Sequence, residues 1–160
     1  MTEVTNEDIN VSTWKIPSPL GIIGSHAEGE FNGMTASWIT QVSMEPALIG
    51  VGIDNKSVTF DLMNRSEYFT LNMFSPEYTK VFVKFSKPAE YSDGFLNKEP
   101  ITLTKNSVPI FDNATVWFEL KTDQKINLGT HTFFIGEIID CKTLNPDERV
   151  AYMGDTRMKY

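Results

Sequence analysis

The sequence predicts a mainly β protein, a small antiparallel barrel carrying a few short helices. Short runs of apolar or alternating residues are separated by Gly, Pro and Asn, which is the pattern of strands and turns. Only two windows have helical spacing, too few for the repeating strand–helix units of a parallel sheet. The 160 residues, 41% of them hydrophobic, suffice for a sizeable core, and closing a sheet into a barrel removes its exposed edges.

Taken in order, residues 1–15 form an acidic, polar N-terminal extension. Its first eight residues are the reverse of a secretory signal. Residues 16–25, with Pro17, Pro19, Gly21 and Gly24, lead into a first strand that 26–32 continue. Asn32-Gly33 reads as a tight turn, because both residue types tolerate positive φ. Residues 34–42 are the second strand. The apolar run 47–53, bounded by Pro46 and Asp54-Asn55, is a central strand. Residues 57–65 form a short helix with Asn55 or Ser57 as cap and Val58 and Leu62 four apart. Residues 68–73 are a strand. Residues 76–85 are a second helix with Pro76 near its start and Val81, Phe82 and Phe85 on one side. Residues 86–113 are rich in Pro, Asn and Lys and hold one short strand at 101–104. Two longer strands, 114–122 and 131–144, are joined by a hairpin over 121–129. Residues 145–160 form a tail, its end packed on the barrel. The whole of 1–160 reads as one domain.

Composition excludes several classes of function. A net charge of −7 opposes nucleic acid and anionic membrane surfaces alike. No apolar run reaches transmembrane length. The single cysteine, Cys141, rules out an internal disulfide and a cysteine metal set, and suits the cytoplasm. The two histidines make no metal motif, and His26 receives no role. There is no G-x-G-x-x-G and no P-loop.

Three constellations could carry chemistry. The first is Met34-Thr35-Ala36-Ser37-Trp38, which sets small and hydroxylated residues beside a large aromatic. It reads either as a barrel strand bending tightly or as the wall of a flat ligand. A flavin needs such a place, being planar and rich in hydrogen-bonding atoms. The second is Asp54-Asn55-Lys56-Ser57-Val58-Thr59, between a strand and a helix. It reads either as ordinary N-capping or as an anion site of helix N–H groups and side-chain donors. The third is Gly129-Thr130-His131, where a turn opens a strand; His131 is a structural residue or a contact for a second substrate. Cys141 lies in an apolar strand with nothing to activate its thiol.

These segments, in this order, resemble the flavin reductase-like, FMN-binding split-barrel family. Gly33-Met34-Thr35-Ala36-Ser37 followed by Val42-Ser43 and Glu45-Pro46 is similar to its N-G-x-T-A-S…S-x-x-P run. Ser57 and Thr59 fall where its phosphate loop carries Ser and Thr. Residues 68–73 resemble its F-x-x-N-x-L strand, Lys84-Phe85 its basic residue before Phe, and Gly129 to Glu137 its G-D-H…G-E-V strand, with Thr130 in place of the common Asp. Trp38 with Gln41 is closest to the branch containing flavoredoxin and rubredoxin-fused flavoproteins, although no paired C-x-x-C is present.

The resemblance implies a Greek-key split barrel, a homodimer with flavin near the subunit interface, and FMN as cofactor. It implies Met34, Thr35, Ala36, Ser37, Trp38, Ser43, Asn55, Lys56, Ser57, Thr59 and Lys84 as cofactor-binding residues, with Thr35, Ser37 and Trp38 at the flavin ring and Lys56, Ser57 and Thr59 at the phosphate. His131 is expected on the nicotinamide side. The function expected is hydride transfer from NAD(P)H through flavin to a small or protein acceptor. The alternative is an FMN electron carrier reduced by another redox protein. No metal is expected.

Overall fold

The computed structural model describes residues 3–158. Helix α1 (Asn6–Thr13) starts on a reciprocal cap, Thr5 Oγ1 accepting from Asp8 N at 3.1 Å and Thr5 N donating to Asp8 Oδ2 at 3.1 Å. None of its residues is buried. Strands β1 (Gly21–Ala27) and β2 (Glu30–Ala36) form a hairpin.

The hairpin turn is at Glu28-Gly29, both at positive φ, and not at the expected Asn32-Gly33. Asn32 sits within β2 at 3% exposure, because its amide serves the interior. Its Nδ2 donates to Thr59 Oγ1 at 2.9 Å, and its Oδ1 accepts from Ala89 N at 2.7 Å. Gly33 is glycine for space: a Cβ there would lie 2.9 Å from the Phe85 ring.

Strands β3 (Ile39–Met44) and β4 (Ala47–Asp54) follow, joined through a cis Glu45-Pro46 bond. Helix α2 (Val58–Asn64) is capped by Ser57, one of the two expected caps. Strand β5 (Tyr68–Met73) matches its predicted bounds. The predicted helix at 76–85 is a 3₁₀ turn, Pro76–Tyr78, running into a short α3 (Lys80–Lys84). The segment 86–113 holds more than one short strand: β6 (Tyr91–Ser92), β7 (Phe95–Leu96), β8 (Glu99–Leu103) and β9 (Pro109–Phe111) make a small four-stranded sheet. Strands β10 (Val116–Asn127) and β11 (His131–Thr143) are the long pair. A 3₁₀ turn at Met153–Asp155 is the last element of the described chain.

The main sheet has seven strands in the order β2-β1-β5-β10-β11-β4-β3, all neighbours antiparallel. The strand expected over 34–42 is divided at Ser37-Trp38, which places β2 and β3 at opposite edges of the sheet. Laid flat, seven strands would part those edges by about 29 Å. The three chain steps from Ala36 to Ile39 reach at most about 11 Å. The sheet is therefore curled until its edges meet, which is the Greek-key split barrel expected. One core cluster, with Ile23, Val51, Phe69, Leu71 and Phe134, fills the barrel. A second, with Leu20, Phe74, Phe82, Phe85 and Phe111, lies under α3 and the small sheet.

Candidate active site

A cleft of about 430 Å³ opens where the two sheet edges meet. The end of β2 and the corner after it contribute Met34, Thr35, Ala36, Ser37 and Trp38. Gly52 and Asp54 come from β4, His131 from the start of β11, and Phe85 and Ser86 from the end of α3. Leu20, Met153 and Met158 close the remaining side.

Each wall has a local cause. Thr35 ties β2 to α3 twice: its Oγ1 donates to Phe82 O at 2.7 Å, and its N donates to Phe85 O at 3.0 Å. Its hydroxyl thus serves the helix end. Trp38 O accepts from Gly52 N at 2.9 Å, which holds the corner on β4. A Cβ on Gly52 would come within 3.2 Å of Trp38 Cβ and Cε3, so glycine lets the indole lie close to the strand. Trp38 remains 49% exposed. Its ring centroid lies 4.5 Å from that of His131 at 54°.

His131 pairs with Asp54 across β11 and β4. Its Nδ1 is 2.9 Å from Thr130 Oγ1. Asn55 fixes the turn in which it stands, donating from Nδ2 to Gly129 O at 2.8 Å and from N to Thr130 O at 3.0 Å. Asn55 Oδ1 also accepts from Thr132 Oγ1 at 2.7 Å.

The structure brings Met34, Thr35, Ala36, Ser37, Trp38 and His131 together on one cleft. The remaining predicted residues lie outside its lining. The 55–59 turn starts directly after Asp54. Within it, Ser57 Oγ accepts from Phe60 N at 3.0 Å and donates to Asp54 O at 2.8 Å. Thr59 is fully buried and accepts from Asn32. Lys56 N donates to Asp54 Oδ1 at 2.8 Å, and its ammonium has no partner among the described residues. Ser43 pairs opposite Leu48 on β3. Lys84 donates to Glu99, which is 4% exposed and also accepts from Tyr78 Oη at 2.8 Å. Burial, and then the bond to Glu99, push the Tyr78 phenol above its usual pKa.

Sequence reasoning missed Leu20, Gly52, Ser86, Met153 and Met158, and it quoted Asp54 and Phe85 within neighbouring segments without giving them a place at the site. Only Gly52 left a signal. Two glycines alternating in the run Ile49-Gly50-Val51-Gly52 mark a close approach to a central strand.

The lining suits a planar ring with polar edges. Ala36 and Ser37 leave space, Leu20 and the methionines give an apolar side, and His131 and Asp54 give a few polar groups. No helix among the described residues is long and apolar enough to cross a membrane.

Residues 13–159 match the model of the flavin reductase like domain. A stachydrine N-demethylase reductase subunit, Stc3, of Rhizobium meliloti is 30% identical over 122 residues, covering 76% of this chain and 52% of that protein. The chain therefore spans about half the length of that relative. A ferric-chelate reductase (NAD(P)H) of Archaeoglobus fulgidus is 28% identical over 152 residues, covering 91% and 88%. The solved NADH:FAD oxidoreductase SgcE6 of Streptomyces globisporus C-1027 shares the fold at a TM-score of 0.80, with 18% identity over 100% of this chain and 97% of that one. With the match running across nearly its whole length, the chain belongs to the flavin reductase-like domain family.

Proposed function

We propose that the protein is an NAD(P)H-dependent flavin oxidoreductase that binds FMN in the cleft at the β2–β3 corner. The observation that carries this reading is the placement of the small-residue corner, Ala36-Ser37-Trp38, directly opposite His131 on one open cleft. A flavin held there supplies the redox chemistry, accepting hydride and releasing electrons. The chain's own residues orient and enclose. Ala36 and Ser37 border the ring, and Trp38 lies along its edge. The 55–59 turn, next to Asp54, offers the Lys56 ammonium to a terminal phosphate, which favours FMN.

His131 is the nicotinamide contact. In the tautomer where Nδ1 accepts from the Thr130 hydroxyl, 2.9 Å away, the other ring nitrogen carries the proton and can donate to a carboxamide oxygen. The large exposed side chains of Val42 and Met44 on β3, and of Trp38 in the corner before it, support a homodimer that covers this edge. The reading treats 1–160 as one domain, with its lone free Cys141 suited to the cytoplasm. The electrons pass to a small acceptor or a redox-protein partner.

A spectrophotometric titration with FMN and FAD, followed by anaerobic NADH and NADPH, tests the reading. Tighter binding of FMN and bleaching near 450 nm (roughly the flavin maximum) by either donor are expected. A protein that binds neither flavin refutes it. Flavin that binds but is reduced by neither donor moves the assignment to the electron carrier.

A further inference from the structure

A second cavity, of about 750 Å³, adjoins the cleft. Met153 and Met158 line both spaces. One wall is the stretch after α1, with Trp14, Lys15 and Ile16; the other is the tail, with Tyr152 and Arg157. The tail is a bonded wall. Met153 N donates to Ser18 O at 2.9 Å, Leu20 N to Ala151 O at 3.0 Å, and Ala151 N to Phe74 O at 2.8 Å. The Arg149 guanidinium grips both Asp155 oxygens, at 2.8 and 2.9 Å, and lies over the Tyr152 ring at 5.0 Å.

Charge separates this cavity from the rest of the surface. The chain carries 21 acidic and 14 basic residues. Yet the cavity is lined by Lys15 and Arg157 and by no Asp or Glu among the described residues. Neither cation takes part in an ion pair among the described residues. Trp14 and Tyr152 add aromatic surface, 41% and 47% exposed.

We propose that this cavity is an adenosine diphosphate site. It seats that half of the nicotinamide dinucleotide whose nicotinamide ring enters the cleft beside Trp38 and His131. The proposal rests on the reading under Proposed function. Aromatic faces stack a purine, and Arg and Lys bind a diphosphate through charge-assisted bonds. The volume falls in the range of small-molecule sites. Two spaces sharing a wall suit a ligand with two planar heads. FAD carries the same adenosine diphosphate chemistry, so the experiment must separate the two sources.

The test is the double variant Lys15→Ala/Arg157→Ala; both side chains are exposed, so the core is untouched. FMN-loaded protein is mixed rapidly with NADH or with reduced nicotinamide mononucleotide, which lacks the adenylate. The Kd for NADH should rise about tenfold while that for the mononucleotide stays unchanged. No loss, or equal loss for both donors, overturns the proposal. In a parallel titration, a variant that loses affinity for FAD relative to FMN but keeps NADH assigns the cavity to the flavin's adenylate and overturns the donor assignment. Calorimetry with ADP-ribose keeps the two readings apart. If neither NADH nor NADPH reduces the wild type, the functional reading fails. ADP-ribose binding that is lost in the variant still supports the adenosine diphosphate site, whereas a wild type that does not bind ADP-ribose refutes it.

Discussion

Thr35→Val separates a hydroxyl that serves the fold from one that serves the ligand. The Thr35 hydroxyl donates to Phe82 O at 2.7 Å, and the backbone bond from Thr35 N to Phe85 O survives the substitution. Valine keeps the branched shape, so no cavity opens, and the change removes one neutral hydrogen bond. Such a bond is worth about 0.5–1.5 kcal/mol net, with more lost when the stranded carbonyl is buried. Thr35 is half-buried, so a loss of about 1 kcal/mol is expected in urea denaturation of the flavin-free protein. Flavin affinity should fall only severalfold, through looser placement of the β2 end against α3. Thr35→Ser, which keeps the hydroxyl, should restore the flavin affinity. The reasoning fails if Thr35→Val leaves stability within about 0.3 kcal/mol of wild type, well under the worth of one such bond, while flavin affinity drops tenfold or more. That outcome would put the hydroxyl on the ligand.

Lys56→Ala should weaken FMN about tenfold in a fluorescence-quenching titration, from the low end of the range for a charge-assisted bond, and leave riboflavin unchanged; equal weakening would place the phosphate elsewhere. Lys84→Met strands the buried Glu99 with Tyr78 as its remaining partner. Because Lys84 is 44% exposed, a discounted cost of about 1–3 kcal/mol is expected, and Glu99→Gln should cost less. Matched denaturation curves decide the order. His26 Nε2 accepts from Gly29 N at 3.1 Å, and burial holds the imidazole below its ordinary 6.5. The folded state thus favours the neutral ring, so its contribution is present above about pH 6.5 and is lost as the pH falls toward the lower folded value. Unfolding measured between about pH 7.5 and 5 should show that decline, and His26→Gln should flatten it.

Local signals in the sequence located most elements. Ser57 capped its helix as the side-chain chemistry required, and the apolar run at 47–53 became β4. The errors came where a residue was chosen for a distant neighbour. Asn32 and Gly33 look like a turn, yet the first answers Thr59 and Ala89 and the second makes room for Phe85. Nothing within a few residues reveals those partners. In the segment 86–113 only the strand near 101–104 was legible, because the others are two or three residues long, too short for alternation to show. The candidate site divided in the same way. Its contiguous wall at 34–38 was readable, whereas Phe85, Met153 and Met158 reach the cleft only through the closed topology.

The two-residue passage from β2 to β3 makes the cleft the seam of the barrel. Any breathing that parts the sheet edges also moves Ser37 and Trp38, so access to the site and integrity of the closure share one hinge. The Gly52 amide, bonded to Trp38 O on the β4 side of that seam, is the local reporter of both. A bound planar ring would act there as a rivet, and an inserted residue at this corner would slacken the closure and the cleft together.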